Sequence, residues 1–527
     1  MTVYVVGLDG ADWSLLRPWI EEGRLPAFAR VVEEGVSGDL ESTLPPVTFP
    51  AWKCYSTGKT PGKLGVYEWF AYDRATNEIG ANDASDFRSL EYWDVLADEG
   101  RRAGVVNMPT THPASARQRD GADGGESEDD GEVFLVAGSP ASERKELTKP
   151  TELKAELLDA VPEYRVKPDL VLDEATPGEL VAEATALFEQ RFDAATWLAD
   201  EKDCEVVHTT LFATDTLQHR LWDRPEKLRD AYERIDELLG DLLDRDDAEA
   251  VVLMSDHGFQ KIDEIFLVNQ WLLDRGDLAI EASETRDVLS NVGLTEERLK
   301  RVVDRLGLVN LAQSLVPESV QRLFPSESGR VAIQDADIDW DRTKAVSLGR
   351  GPIYLNRDAF GSDDEADRYA EEIAADLEAL ETPAGEPVAA AVHDPTDVYT
   401  GEMPDGPDLL VEYGPGVDAP EAIGGDVFGE TTEWLATHRR SGVFAAWGEE
   451  IAEGDADLQL YDLAPTLLHY LDTPVPEDAD GDVRVDVLTG GPAERDVLDG
   501  PPSSVDEGGR GAGREVEETL RELGYME

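Results

Sequence analysis

The chain has 527 residues, 41% of them hydrophobic, with 114 acidic against 47 basic side chains and a formal charge of -67. That hydrophobic content supports a sizeable core, and the length allows one large domain with insertions or two to three smaller ones. So negative a balance repels phosphate backbones and anionic headgroups, which argues against nucleic acid or a membrane surface as a direct partner. The Asp and Glu residues are spread through every segment between regular apolar runs. They therefore read as a surface adapted to high salt, of haloarchaeal type, rather than as disorder or a patch for a basic partner. Two well-separated cysteines, Cys54 and Cys204, no signal-peptide pattern and no long apolar run point to a soluble cytoplasmic protein.

In chain order, TVYVVGL, AGVVN, EVFLVAG, EVVHTTLF, AVVLMS, AVSLG, DLLVEY and SGVFAA are short apolar runs, several too continuous for strands with one wet face. Between them, segments such as DWSLLRPWIEEG, ELVAEATALFEQRFDAATWLADE and LRDAYERIDELLGDLLDR place apolar residues at three- and four-residue spacing. This alternation predicts an α/β fold, a doubly wound and mostly parallel sheet with helices on both faces. Residues 1–261 and 346–490 are expected to form that domain, with 262–345 a helical insertion or cap. Residues 118–132 read as an acidic flexible loop and 491–527 as a flexible C-terminal tail.

Several strand runs end in residues that bind metals, at the edge where ligands of such sheets collect. Asp9 follows TVYVVGL, Asp215 and His219 follow EVVHTTLF at a spacing that shares a helical face, and Asp256 and His257 follow AVVLM. His438 lies in THRR just before SGVFAA, and is also expected at a strand end. Thr48, in PPVTFPAW, falls where Pro50 suits the first turn of a helix, with Thr48 or Phe49 at its cap. Each has an ordinary explanation alone: a cap, a helix start, a surface histidine. Together three Asp, three His and one hydroxyl are enough to close two divalent-cation sites, since hard cations favour anionic oxygen and neutral imidazole. Of the other histidines, His208 and His469 read as packing residues, and His112 and His393 stay unassigned.

The ordered set GLDGAD, PPVTFPAW, STGKTPGKLGV, TDxxxH, SDHGF, THRRSG and LYDLAPTLL resembles the alkaline phosphatase superfamily, in its type I phosphodiesterase/nucleotide pyrophosphatase branch. The resemblance implies two divalent ions, zinc with manganese or magnesium as alternatives. One would be held by Asp9, Thr48, Asp256 and His257, and the other by Asp215, His219 and His438. It further implies a phosphodiesterase or nucleotide pyrophosphatase acting on a small-molecule phosphate ester, with Thr48 as the nucleophile. A phosphomonoesterase, a phosphoryl or nucleotidyl transferase, and a non-catalytic metal-stabilised phosphate binder are the alternatives. The family resembles TFPNH where this chain has TFPAW, so Ala51 brings no side-chain donor. The Phe49 amide, Lys53 and Arg350 are the candidate substrate-binding groups in its place. STGKTPGK lacks the spacing of a phosphate-binding P-loop, and TFPAW lacks the modifiable residue and the arginine of a sulfatase.

Overall fold

The computed structural model describes residues 1–87, 89–114, 131–141, 146–281, 330–429, 434–503, 516–517 and 519–521. The first run forms strand β1 (Thr2–Leu8), with every side chain buried, followed by helices α1 (Trp13–Glu21) and α2 (Pro26–Glu34) and strand β2 (Val36–Glu41). Helix α3 (Thr48–Thr57) leads to β3 (Arg102–Met108), β4 (Glu132–Ala137), the long α4 (Pro177–Lys202) and β5 (Val206–Leu211). Next come α5 (Ala213–Leu221), α6 (Pro225–Leu243), β6 (Ala248–Met254) and β7 (Gly258–Lys261). The chain returns at β8 (Ala436–Arg439) and β9 (Ser441–Gly448).

The central sheet runs β2-β9-β6-β1-β5-β3-β4, with short edge strands beyond β2 and β4. From β6 to β4 neighbouring strands are parallel, and helices cover them, so those strands carry near-continuous Val, Leu and Ala. The register aligns Leu8 with Leu211 and Gly7 with Met254, which brings the carboxyl ends of β5, β1 and β6 to one rim. The predicted alternation is thus realised, with β9 as an antiparallel member between β6 and β2.

Two of the apolar runs go elsewhere. AVSLG and DLLVEY form Ala345–Ser347 and Leu409–Tyr413 of a separate four-stranded antiparallel sheet with Pro352–Leu355 and Ala389–His393. Their hydrophobicity announces burial, but not which sheet buries them. Within 262–345, a helix spans Val268–Arg275, while 282–329, where most of the expected cap helices fall, lie outside the described residues. Residues 118–130 of the acidic loop do so as well, and Glu132 already belongs to β4. The start of the expected flexible tail is fixed instead. Asp499–Gly500 pairs with Val475–Pro476, and the Ser503 amide donates to the partly buried Asp478 at 2.9 Å, because the strand edge and the loop amide need partners. Among the described residues, no helix is long and apolar enough to cross a membrane.

Candidate active site

Three adjacent parallel strands each deliver a carboxylate to the shared rim. Asp9 is the first residue beyond β1, Asp256 stands two beyond β6, and Asp215 lies in the first turn of α5 beyond β5; all three are fully buried. Trp52 Nε1 donates to Asp9 Oδ2 at 2.9 Å, and the Gly10 amide to Asp256 Oδ1 at 3.1 Å. Asp9 Oδ1 and Asp256 Oδ2 are buried and accept no hydrogen bond among the described residues.

The histidines are aimed by backbone carbonyls. His219 Nδ1 donates to Ala436 O at 2.7 Å and His438 Nδ1 to Pro46 O at 2.9 Å. A carbonyl only accepts, so the proton sits on Nδ1 in both rings and Nε2 turns inward as a lone pair. The two Nε2 atoms stand 3.1 Å apart, and Asp215 Oδ1 is 3.4 Å from the first and 3.2 Å from the second. His257 Nε2 lies 3.2 Å from Asp256 Oδ2, 3.8 Å from Asp9 Oδ1 and 3.2 Å from Thr48 Oγ1. Thr48 is therefore brought to the same hollow.

Burial dominates the titration of these groups. It presses His438 and His219 down to about 3 and His257 well below its ordinary value, so all three are neutral at physiological pH. Burial, reinforced by the charges of Asp256 and Asp215, holds Asp9 well above the carboxylate range; burial also lifts Asp256. Converging carboxylates and imidazole lone pairs repel one another in a dry pocket unless cations lie between them. Ligand atoms of Asp215, His219 and His438 lie within 4.8 Å of one another, and so do those of Asp9, Asp215 and His257. This donor chemistry fits two divalent ions, and Asp215 adjoins both groups.

Surrounding residues hold the constellation in place, and most were not legible beforehand. His438 does not follow a central strand: it lies within β8, which pairs antiparallel with β7 so that Phe259 faces it and the ribbon folds over the rim. Phe259 packs edge-on against His219 and His438, with centroids 4.7 and 5.1 Å away. Gly10, at φ 67°, passes so close to Phe259 that a Cβ would collide with that ring. Asp12 caps α1 through the Ser14 amide and is held by Arg439 through Nε at 2.7 Å and Nη2 at 2.8 Å. The first arginine of THRR was the available signal for that pair. Trp434 stacks on His219 at 3.6 Å.

Helix α3 starts at Thr48, so the cap is Val47 rather than Thr48 or Phe49, and Val47 contributes no side-chain bond. Extended backbone at Val47 leaves Pro50 in the first turn, where its missing N–H costs nothing, and the first-turn amides have no intrahelical acceptor. The candidate substrate groups separate. The Phe49 ring is core, packed on Trp69 and Phe87 at 4.8 and 5.2 Å, which leaves only its amide to face a ligand. Lys53 does not reach out to substrate: it is buried, ion-paired with Glu91 and 4.9 Å from the Phe87 centroid, since α3 turns it into the core. Arg350 stands beside the site, 4.9 Å over Trp434, with Nε 2.7 Å from Asp418. Ala51 is fully buried. His208, bonded to Tyr55 and Thr210, and His469, bonded to Pro492 O, are buried packing residues.

A family model described as type I phosphodiesterase / nucleotide pyrophosphatase matches residues 3–439. A search of curated protein sequences gave no match. Among solved structures, human ectonucleotide pyrophosphatase/phosphodiesterase 5 is similar at a TM-score of 0.52 and 13% identity, over 93% of this chain and 100% of that one. Phosphonoacetate hydrolase from Sinorhizobium meliloti 1021, solved with phosphonoformate, is similar at 0.52 and 16%, over 88% and 94%. An inactive murine ectonucleotide pyrophosphatase/phosphodiesterase 5 in complex with AMP is similar at 0.51 and 12%, over 93% and 100%. At these identities the likeness shows a shared fold.

Proposed function

Because the chain belongs to the type I phosphodiesterase/nucleotide pyrophosphatase family, a family of metal-dependent phosphohydrolases, we propose that it hydrolyses a small-molecule phosphodiester or pyrophosphate through a covalent phosphothreonine at Thr48. The observation that carries this reading is the placement of Thr48 Oγ1 at the uncapped start of α3, 3.2 Å from His257 Nε2 in a hollow of converging metal donors. In this reading Asp9, Thr48, Asp256 and His257 hold one ion and Asp215, His219 and His438 the other, with Asp215 within reach of both. When bound, the ions supply the positive charge that offsets the carboxylates and favours ionised oxygen at the reacting centre.

The chain's own residues then do the following. Thr48 Oγ attacks phosphorus and the bond to the leaving oxygen breaks, leaving a phosphothreonine ester. Water attacks the same phosphorus, the P–Oγ bond breaks, and the Thr48 hydroxyl is restored. First-turn amides of α3, the Phe49 amide among them, face the anionic phosphoryl oxygens with the positive end of the helix. Arg350 is already neutralised by Asp418, so it adds little net charge for a dianionic monoester. That balance supports diesters as the preferred substrates.

The test compares kcat/KM for bis(p-nitrophenyl) phosphate and p-nitrophenyl phosphate in molar KCl with zinc or manganese. The diester should be favoured. A clear preference for the monoester would overturn the diesterase reading, and turnover undiminished in Thr48→Ala would remove the covalent step.

A further inference from the structure

Asp12 lies three residues after Asp9, is fully buried, and gathers donors from three segments of the chain. Its Oδ1 accepts from the Ser14 amide at 2.7 Å and from Arg439 Nη2 at 2.8 Å; its Oδ2 accepts from the Phe259 amide at 2.9 Å and from Arg439 Nε at 2.7 Å. Two of these donor residues adjoin metal donors from other strands. Phe259 is two residues beyond His257, and Arg439 follows His438 directly. Gly258 makes room for the approach, because a Cβ there would collide with Asp12 Oδ2 and Ser441 O. One carboxylate thus ties together the loop after β1, strand β7 and strand β8, within a few residues of Asp9, His257 and His438.

The tie to β7 is a backbone amide, whereas the tie to β8 is a forked guanidinium–carboxylate pair that fixes direction as well as distance. Strand β8 serves the second group of donors twice. His438 lies on it, and His219 Nδ1 donates to Ala436 O of the same strand at 2.7 Å. The first group leans on other supports: Asp9 on Trp52 Nε1, Asp256 on the Gly10 amide, and His257 on Gly258 O at 3.2 Å. A shift of β8 therefore displaces two of the three donors Asp215, His219 and His438, and leaves Asp9, Asp256 and His257 where they are.

We propose that Asp12 and Arg439 are a positioning pair: Arg439 sets β8, and with it His219 and His438, in register for the second ion, while Asp12 also holds β7 and so serves both ions. This rests on the two-ion reading above. Zinc affinity would be measured on the full chain in molar KCl by chelator competition, with His438→Ala marking which affinity belongs to the second ion. Arg439→Met, which keeps the stem and removes the fork, should weaken the second ion about 10- to 100-fold, the range for groups that orient metal ligands, and the first less than threefold. Arg439→Lys keeps the charge without the fork and should fall between Arg439→Met and wild type. Raising free zinc should restore turnover in Arg439→Met, which a merely structural defect would not allow. Asp12→Ala should weaken both ions, because the Phe259 tie goes as well. Should that variant misfold, the arginine series, cut at the 37% exposed end of the pair, decides the matter. Equal weakening of both ions in Arg439→Met, or unchanged affinity for both, would overturn the pair's role while leaving the two-ion reading intact. Wild-type protein that takes up fewer than two zinc ions would overturn both.

Discussion

Trp52→Phe tests whether the support behind Asp9 sets its affinity for metal. The indole ring lies against Gly7 of β1, where a Cβ would collide with it, and Nε1 donates to Asp9 Oδ2 at 2.9 Å inside a fully buried site. Phenylalanine keeps much of the packing and removes the donor. Hydrogen bonds to charged groups contribute about 1.5–3 kcal/mol, which at 1.4 kcal/mol per decade corresponds to about 10- to 150-fold in affinity, close to the 10- to 100-fold typical of groups that orient metal ligands. Loss of the donor also raises the Asp9 carboxyl further, on top of the burial that already lifts it, so protons compete better with metal and the defect should grow as pH falls. The smaller ring separately costs on the order of 1–2 kcal/mol of fold stability, less than full truncation. Zinc affinity by chelator competition, kcat/KM and thermal melting would be measured on the same preparation. Tyr55→Phe serves as the control, because its hydroxyl contacts His208 and Tyr92 instead of Asp9. A folded Trp52→Phe enzyme whose zinc affinity and kcat/KM both stay within twofold of wild type would refute the reasoning.

Thr48→Ala should lower phosphodiester turnover by several orders of magnitude with the melting transition retained, and Thr48→Ser should keep partial activity; equal rates for all three by steady-state kinetics would exclude Thr48 as nucleophile. The metal-free protein should take up close to two zinc ions and release protons as it does so, because Asp9 and Asp256 are held above the ordinary carboxylate range and must ionise to bind. With His219 and His438 at about 3, those rings add no proton release above about pH 4, so affinity should weaken on acidification through the carboxylates alone. Calorimetry in two buffers of different ionisation enthalpy measures this, and binding with no proton release at any pH in the protein's stable range would contradict it. The charge of -67 predicts a lower melting temperature on dilution from molar KCl to ~0.1 M, where the Debye length grows from about 3 to about 10 Å; an unchanged melt would oppose the high-salt reading.

The sequence by itself determined what depends on neighbours along the chain. Continuous apolar strands alternating with amphipathic helices led to the parallel sheet, and the rule that ligands gather beyond strand ends pointed to Asp9, Asp215 and Asp256 before any geometry was known. Adjacent or helical spacing paired Asp256 with His257 and Asp215 with His219. Tertiary structure decided the rest. Only strand register shows that β5, β1 and β6 lie side by side, so that three carboxylates share one hollow and Asp215 adjoins both donor groups. His438 arrives on the β7–β8 ribbon, and Arg439 reaches Asp12 across 427 positions of sequence. Lys53 and Arg350 stood alike as candidate substrate-binding cations, yet helix phase buries one against Glu91 while a loop sets the other beside Trp434. Such pairings are chosen by packing between distant segments, and a short-range pattern of residue types carries no record of which distant partner wins.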